Sequence, residues 1–517
     1  MQVTTIGHAG LLVRAGDKTI VCDPWFEPAF FASWFVFPRN DQLSDELMNE
    51  ITNPDFLYIS HLHGDHLDVP FLRSRMNKEA TVLLPGFPSQ ELEGELRKIG
   101  FTKFVHTKSG EEIDLGGVNV AIHVETSITD GPGGDSAIMI SDATGRIVNQ
   151  NDCRTHDVGA LAAHGKVDVH YLQFSGAIWY PMVYDMPDAE MRRLVNAKVE
   201  SQFARSFKYV ESLAASHVAP SAGPPCFLDD DLFGFNVITG NELSIFPDQT
   251  EFLSRLSAQQ FGEGIMNIPG TTVTIDRDNV SVDQPCNEDE LREIFTDKLA
   301  YLRAYQADWA DWLDAEKAQW GKPGTNMLKS LQLWWEPLMA MAPTLCSFIG
   351  ANCLIRSGDL ALLIDFNAHQ VRKHDGEPFA FSFDIPRSLL ETVIANRSVD
   401  WSNSLFLSCR FRAWREGEFN EYLYNFLKSL NPDRMRRTET EARGKIARDD
   451  ASEEITLAGY VMERYCPHRK ADLAIFGECD GTTLTCTLHG WKFDLETGKC
   501  LTADDKSLRV RRSNDQR

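Results

Sequence analysis

The feature that most constrains this chain is "FLYISHLHGDHLDVP", residues 56–70, where an apolar run ends in His61, His63, Asp65 and His66. The spacing suits a tight loop at the end of a buried strand rather than a helix, with Gly64 expected to let the backbone turn sharply. Imidazole and carboxylate are ligands for zinc, iron or manganese. One such loop can serve two adjacent ions, with His61 and His63 facing one and Asp65 and His66 the other.

A second cluster lies some four hundred residues later. "CPHRK" carries Cys466 and His468, and "CTLHGWKFD" carries Cys486 and His489. Two thiols and two imidazoles in separate loops can hold either a zinc ion or an iron–sulfur cluster.

The rest of the chain sets the frame. Its 517 residues argue for several domains. A net charge of −24 disfavours nucleic acid and anionic membrane surfaces as partners, without forbidding an anionic substrate held by local arginines. Neither a secretion signal nor an apolar run long enough for a membrane span is legible. With scattered cysteines, that reads as a reducing, cytoplasmic protein. Up to about Pro220, short β-rich runs alternate with helical patterns, the mark of a layered α/β domain.

We expect domains at 1–287, at 288–430 (helical, then α+β) and at 456–517. The charged stretch 431–455 between the last two reads as a linker or exposed helix. "LRVRR" near the end reads as a surface for an acidic electron carrier or as a solvated tail.

The first cluster resembles the metallo-β-lactamase superfamily, whose H-x-H-x-D-H motif it matches in full. "GHAGLLV" and "VCDPWF" resemble that superfamily's opening hairpin, and "IVNQNDC" resembles its strand bearing a metal-bridging aspartate. The resemblance implies an αββα sandwich with metals at the strand ends and Asp152 between them. It also implies two further histidines. His123, with Glu125 and Asp130 as competitors, is the candidate for one, and His217 lies a few positions early for the other. His8 and Asp23 are candidates for orienting ligands.

The second cluster resembles the two loops of Rieske domains. By that resemblance Cys466 and Cys486 hold one iron of a [2Fe–2S] cluster, and His468 and His489 hold the other. The piece at 345–430 resembles sterol-carrier-like α/β domains. "YISHLHGDHLDVPFL", "NQNDCR", "FSGAIWYPMVY" and "HGWKFDLETGK" together resemble the cytidine monophosphate-N-acetylneuraminic acid hydroxylase family. That family carries its Rieske domain at the N-terminus, whereas here it is C-terminal. Trp179 and Tyr180, in a loop after an expected strand end, are candidates for substrate contact.

A Rieske cluster passes single electrons, and a hydrolytic zinc site needs none. The pairing therefore implies a redox metal at the first cluster. The expectation is a Rieske-fed non-haem iron monooxygenase, with one or two irons and O₂, acting on a small polar substrate such as a nucleotide sugar or natural-product intermediate. Its electrons would come from an external donor: a ferredoxin, a cytochrome b5-type carrier, or a reductase with NAD(P)H. A homo-oligomer is left open. The rival readings are a zinc hydrolase with a redox-sensing or structural Rieske domain, and a non-catalytic electron carrier.

Overall fold

A computed structural model of the chain describes residues 1–126, 133–277, 279–321, 324, 326–417, 419–446, 453–468, 471–488, 490–502 and 506–513. They divide into two units, one of Met1–Ala177 with Val195–Leu313, the other of Ile178–Leu194 with Asp314–Arg517.

The first unit opens with β1 (Gln2–Gly7), β2 (Gly10–Ala15), β3 (Lys18–Cys22), β4 (Phe56–Tyr58), β5 (Thr81–Leu84), β6 (Phe104–His106) and β7 (Glu112–Asp114). It continues with β8 (Asn119–Glu125), β9 (Asp135–Ser141), β10 (Arg146–Asn151), β11 (Val169–Gln173), β12 (His217–Ser221), β13 (Glu263–Gly264), β14 (Thr272–Asp276) and β15 (Asn279–Asp283). One sheet runs β15-β14-β1-β2-β3-β4-β5-β6, the other β13-β12-β11-β10-β9-β8-β7.

Alternation of side chains packs the two sheets face to face. On β2, Leu11 and Val13 join the core between the sheets while Leu12 points to the outer layer. On β8, Val120 and Ile122 point inward and Ala121 outward. The outer face of the first sheet is covered by helices Asp45–Thr52, Val69–Ser74 and Glu91–Ile99, which bury Ile51, Phe71, Leu72, Leu92 and Leu96 against it. Strands apolar on both faces fit this arrangement because both faces are covered. This is the αββα sandwich expected from the sequence.

The second unit holds a mixed sheet of β16 (Asn352–Ser357), β17 (Leu360–Asp365), β18 (Gln370–Lys373), β19 (Phe381–Asp384) and β20 (Arg412–Arg415), ordered β18-β17-β16-β19-β20. Beside it, Trp335 of helix Met327–Met341 packs on Trp401 at 4.8 Å and on Phe426 at 5.7 Å. Two small antiparallel sheets follow. One is β21 (Glu454–Leu457), β22 (Tyr460–Glu463) and β26 (Val510–Arg512), and the other is β23 (Gly477–Asp480), β24 (Thr483–Cys486) and β25 (Trp491–Asp494).

Two expectations are corrected. The stretch read as a linker or exposed helix opens with a helix that is packed, Pro432–Ile446, whose Met435, Thr438, Glu439 and Ala442 are buried. Its low apolar content hid a one-sided stripe whose polar members are satisfied by partners. The Glu439 carboxylate accepts from the amides of Thr344 and Leu345, at 3.3 and 3.0 Å, in the first turn of helix Pro343–Ile349. The "LRVRR" segment is not a frayed tail. It contributes β26, and Arg511 pairs with Glu454 at 2.6 Å while Arg509 pairs with Glu463 at 3.5 Å. No helix of the described residues is long and apolar enough to cross a membrane.

Candidate metal centre and cluster-binding loops

Parallel pairing of β3 with β4 brings their C-terminal ends to one rim of the sandwich. Asp23 follows the first strand end, and Ser60 and His61 follow the second. The β1–β2 hairpin brings His8 to the same rim. Its Gly7 has φ +133°, and a Cβ there would lie 2.7 Å from Val36 Cγ1, so only glycine fits. From the opposite sheet β10 ends at Asn151, held at φ 44°. The Asn151 side chain accepts from the Asp152 amide at 2.7 Å and donates to the Ser136 carbonyl at 2.9 Å, which fixes where Asp152 emerges.

Six side chains converge there as two triads. His61, His63 and Asp152 form one, and His8, Asp65 and His66 form the other, with the ligand atoms of each triad all within 4.8 Å of one another. His61 Nε2 is 2.7 Å from His63 Nδ1, and His8 Nε2 is 3.1 Å from Asp65 Oδ2. Asp152 Oδ1 lies between the triads, 3.5 Å from His66 Nε2 and 3.9 Å from His61 Nδ1. Behind them, Asp23 accepts from the Ser60 amide at 2.7 Å and from the Ser60 hydroxyl at 2.6 Å. The same carboxylate lies 2.9 Å from His66 Nδ1, so the Nε2 of that ring faces the cluster. Asp68 accepts from the amides of Phe26, Glu27 and Phe71 at 2.8–3.0 Å, tying the "DPWF" loop to the motif. Burial pushes the Asp68 carboxyl up to about 6 despite those three bonds.

The donors fit a pair of metal ions. His63 Nε2, Asp65 Oδ1, His66 Nε2 and Asp152 Oδ1 are all buried without a hydrogen-bond partner, a concentration that buried polar atoms seldom show. The electrostatics agree. Burial, with His66 adding repulsion, lowers His61 to about 4, and burial lowers His63 well below its ordinary value. Burial opposes charge on His66 too, yet Asp152, Asp65 and Asp23 raise it to about 10. The carboxylates thus demand positive charge, which a bound cation supplies without a proton on His66.

Several sequence candidates lie elsewhere. His123 does not join the cluster. It sits on β8 between the inward-facing Ile122 and Val124, so its ring turns to the outer face and meets His164, Nε2 to Nε2 at 3.0 Å. Glu125 bonds His156 at 2.8 Å, and Asp130 lies outside the described residues. His217 begins β12, at the end opposite the rim, and faces Glu263 at 3.3 Å. Trp179 and Tyr180 belong to the second unit. There Trp179 packs on Phe406 at 5.2 Å and Tyr180 on Tyr184 at 5.2 Å. Gly64 is not a left-handed turn residue, and a Cβ there would meet only ordinary contacts. The motif turns instead through hydrogen bonds from the His66 and Leu67 amides to the His63 carbonyl. His8, read as an orienting residue, is a member of the second triad. Its signal was its place at a hairpin tip on the motif's rim.

In the second unit, Cys466 follows β22 and donates its amide to the Ala471 carbonyl at 2.9 Å, and Cys486 ends β24. Both thiols are buried. His468 stacks on Trp491 at 3.9 Å and 11°, which explains the tryptophan of "HGWKF". His468 Nε2 is 3.2 Å from Glu421 Oε2, and the other oxygen of that carboxylate is 3.0 Å from Lys506 Nζ. His489 lies outside the described residues. Two buried thiols and an imidazole on adjoining loops fit a [2Fe–2S] cluster. Glu421, forty-five positions before Cys466 in the chain, carried no sequence signal for this contact.

Family models match this architecture. A beta-lactamase superfamily domain covers residues 2–199, an Rv3818-like, SCP2-like domain covers 327–443, and a Rieske [2Fe-2S] domain covers 437–510. Fold and donor sets therefore define a Rieske iron–sulfur protein built on a metallo-β-lactamase sandwich and a sterol-carrier-like domain. A chain of Mycolicibacterium smegmatis is 42% identical over 99% of this chain and 100% of its own length, and one of Mycobacterium tuberculosis is 42% identical with the same coverage. Both are named as Rieske 2Fe-2S iron-sulfur proteins, and the present chain belongs to that family. The cytidine monophosphate-N-acetylneuraminic acid hydroxylase of Danio rerio is 30% identical over 36% of this chain and 31% of the hydroxylase.

Proposed function

We propose that this chain is a Rieske-fed non-haem iron monooxygenase that hydroxylates or N-oxygenates a small polar substrate. A nucleotide sugar or a natural-product intermediate is the class in view. One observation carries the reading: a Rieske donor set shares the chain with two buried to half-buried triads, each of two histidines and one carboxylate. That composition is the donor set of non-haem iron(II) oxygenases, which leaves coordination positions open. When bound, iron at the triads supplies dioxygen activation, and the [2Fe–2S] cluster supplies the electrons one at a time.

The chain's own residues prepare both centres. Asp23 fixes the orientation of His66, and the Ser60 hydroxyl, 2.9 Å from His61 Nδ1, steadies the neighbouring ring. Trp25, fully buried, stands edge-on to His8 at 4.9 Å and helps keep water from that donor. In the second unit Glu421 Oε2 stands 3.2 Å from His468 Nε2 as an ion-pair partner, which leaves the other ring nitrogen for iron. Electrons are to come from an external ferredoxin, cytochrome b5-type carrier or NAD(P)H-dependent reductase. The hydroxylase similarity over 36% of the chain supports the reaction type.

The test is O₂ uptake and product formation driven by a reductase, with wild type and His468→Ala compared. The reading expects the variant to lose reductase-driven turnover while keeping metal at the triads. Turnover equal to wild type would contradict it.

A further inference from the structure

We infer that Arg154, Lys198 and Arg205 form an oxyanion subsite beside the triads, built for a doubly charged, phosphate-class group on the substrate. The inference rests on the reading that a substrate is transformed at this rim.

Three observations on the first unit carry it. The first is placement. Along helix Asp188–Leu213, Lys198, Gln202, Arg205 and Tyr209 recur at helical spacing and share one face. Two bonds clamp that face to the metal-bearing rim. The Tyr209 hydroxyl donates to the Thr155 carbonyl at 2.7 Å, and the Ser206 hydroxyl donates to the Gln173 carbonyl, at the end of β11, at 2.9 Å. Arg205 lies one turn before Tyr209 and therefore beside the loop Asp152–Thr155, which carries both the ligand Asp152 and Arg154.

The second is missing compensation. Among the described residues none of the three cations has an ion pair or hydrogen bond, and Arg205, 4% exposed, buries Nη2 without a partner. The carboxylate that acts on Arg205 electrostatically is Asp152, already committed to the triads. Burial, then Arg154 and Arg205, lower the Lys198 ammonium to about 7. Burial, then Arg154, lower the Arg205 guanidinium to about 9. An uncompensated buried cation such as Arg205 is costly, and a fold tolerates it where a ligand supplies the counter-charge.

The third is chemistry. A guanidinium offers a planar fork matched to tetrahedral or planar oxyanions, and an ammonium adds a point charge. Three cations suit a dianion better than a monoanion. Within a chain of net charge −24, this cluster is a local reversal of sign that attracts anions to the rim.

The experiment is calorimetric titration of inorganic phosphate, and separately of acetate, into the full-length holoprotein as purified. Wild type is compared with Arg205→Gln and with the half-buried Lys198→Gln. The expected result is saturable phosphate binding that weakens at least about tenfold in each variant, with acetate binding weaker than phosphate. Unchanged phosphate affinity in both variants would place any bound anion on the metals alone and overturn the subsite. Acetate binding as tight as phosphate would overturn the dianion class. Melting temperature supplies a second readout: without anion, Arg205→Gln melts no lower than wild type and loses most of the phosphate-induced rise. A lower melting temperature with the phosphate-induced rise intact would mark Arg205 as structural and overturn the assignment. Because the titration needs no turnover, loss of the oxygenase reading with intact phosphate binding spares the subsite. Absence of binding beside intact O₂ uptake removes the subsite alone.

Discussion

Asp23 Oδ2 lies 2.9 Å from His66 Nδ1, with both side chains fully buried. This contact fixes which ring nitrogen of His66 meets the second triad, because an imidazole whose one N–H is held by a carboxylate offers the other nitrogen to a metal. Asp23→Ala is expected to lower metal affinity at the rim about 10- to 100-fold. Competition with a chelator checks it, and wild-type affinity would refute the orienting role.

His8 and His123 divide the ligand question between them. His8 Nε2 is 3.1 Å from Asp65, whereas His123 faces His164 on the outer side of β8. His8→Ala is expected to lose about one metal ion per chain, and His123→Ala none. Metal analysis of the two variants after identical purification decides it.

Glu421 holds His468 from outside the Rieske loops, at 3.2 Å. A carboxylate held against a ligand imidazole makes the ligand more basic and favours the oxidised cluster. Glu421→Gln is therefore expected to raise the reduction potential, with about 59 mV for each tenfold change in equilibrium. A redox titration followed by electron paramagnetic resonance measures it, and an unchanged potential would reduce Glu421 to a packing role.

Lys198 gives a pH signature. Its folded value of about 7 lies below the ordinary lysine value of about 10.4. Between those values the unfolded chain binds the extra proton, so stability attributable to this residue rises with pH. Below about pH 7 the penalty of a charged, half-buried Lys198 is fully present. Lys198→Met should melt above wild type near neutral pH, and the gap should close as pH climbs toward about 10. A gap that stays constant with pH would contradict the assignment.

What was legible in the sequence was contiguous. His61, His63, Asp65 and His66 lie in one loop, and Cys466, His468 and Cys486 lie in two short ones, so local spacing exposed them. His8, Arg154, Lys198 and Arg205 come from segments joined by sheet pairing and by the Tyr209–Thr155 and Ser206–Gln173 bonds, which no local pattern announces. His123 was misread although β8 carried the signal. With Val120 and Ile122 in the inter-sheet core, the two-residue period already sends position 123 outward. Helix Pro432–Ile446 was hidden because its buried stripe includes the polar Thr438 and Glu439, and the Glu439 carboxylate is satisfied by Thr344 and Leu345, distant in sequence.

The central claim is that the rim triads hold iron alongside the Rieske cluster. Iron and zinc should be counted together on protein made in iron-replete cells. The account predicts about four irons per chain, two in the cluster and one per triad, with little zinc. About two irons accompanied by about two zincs would contradict it and point to a hydrolytic centre.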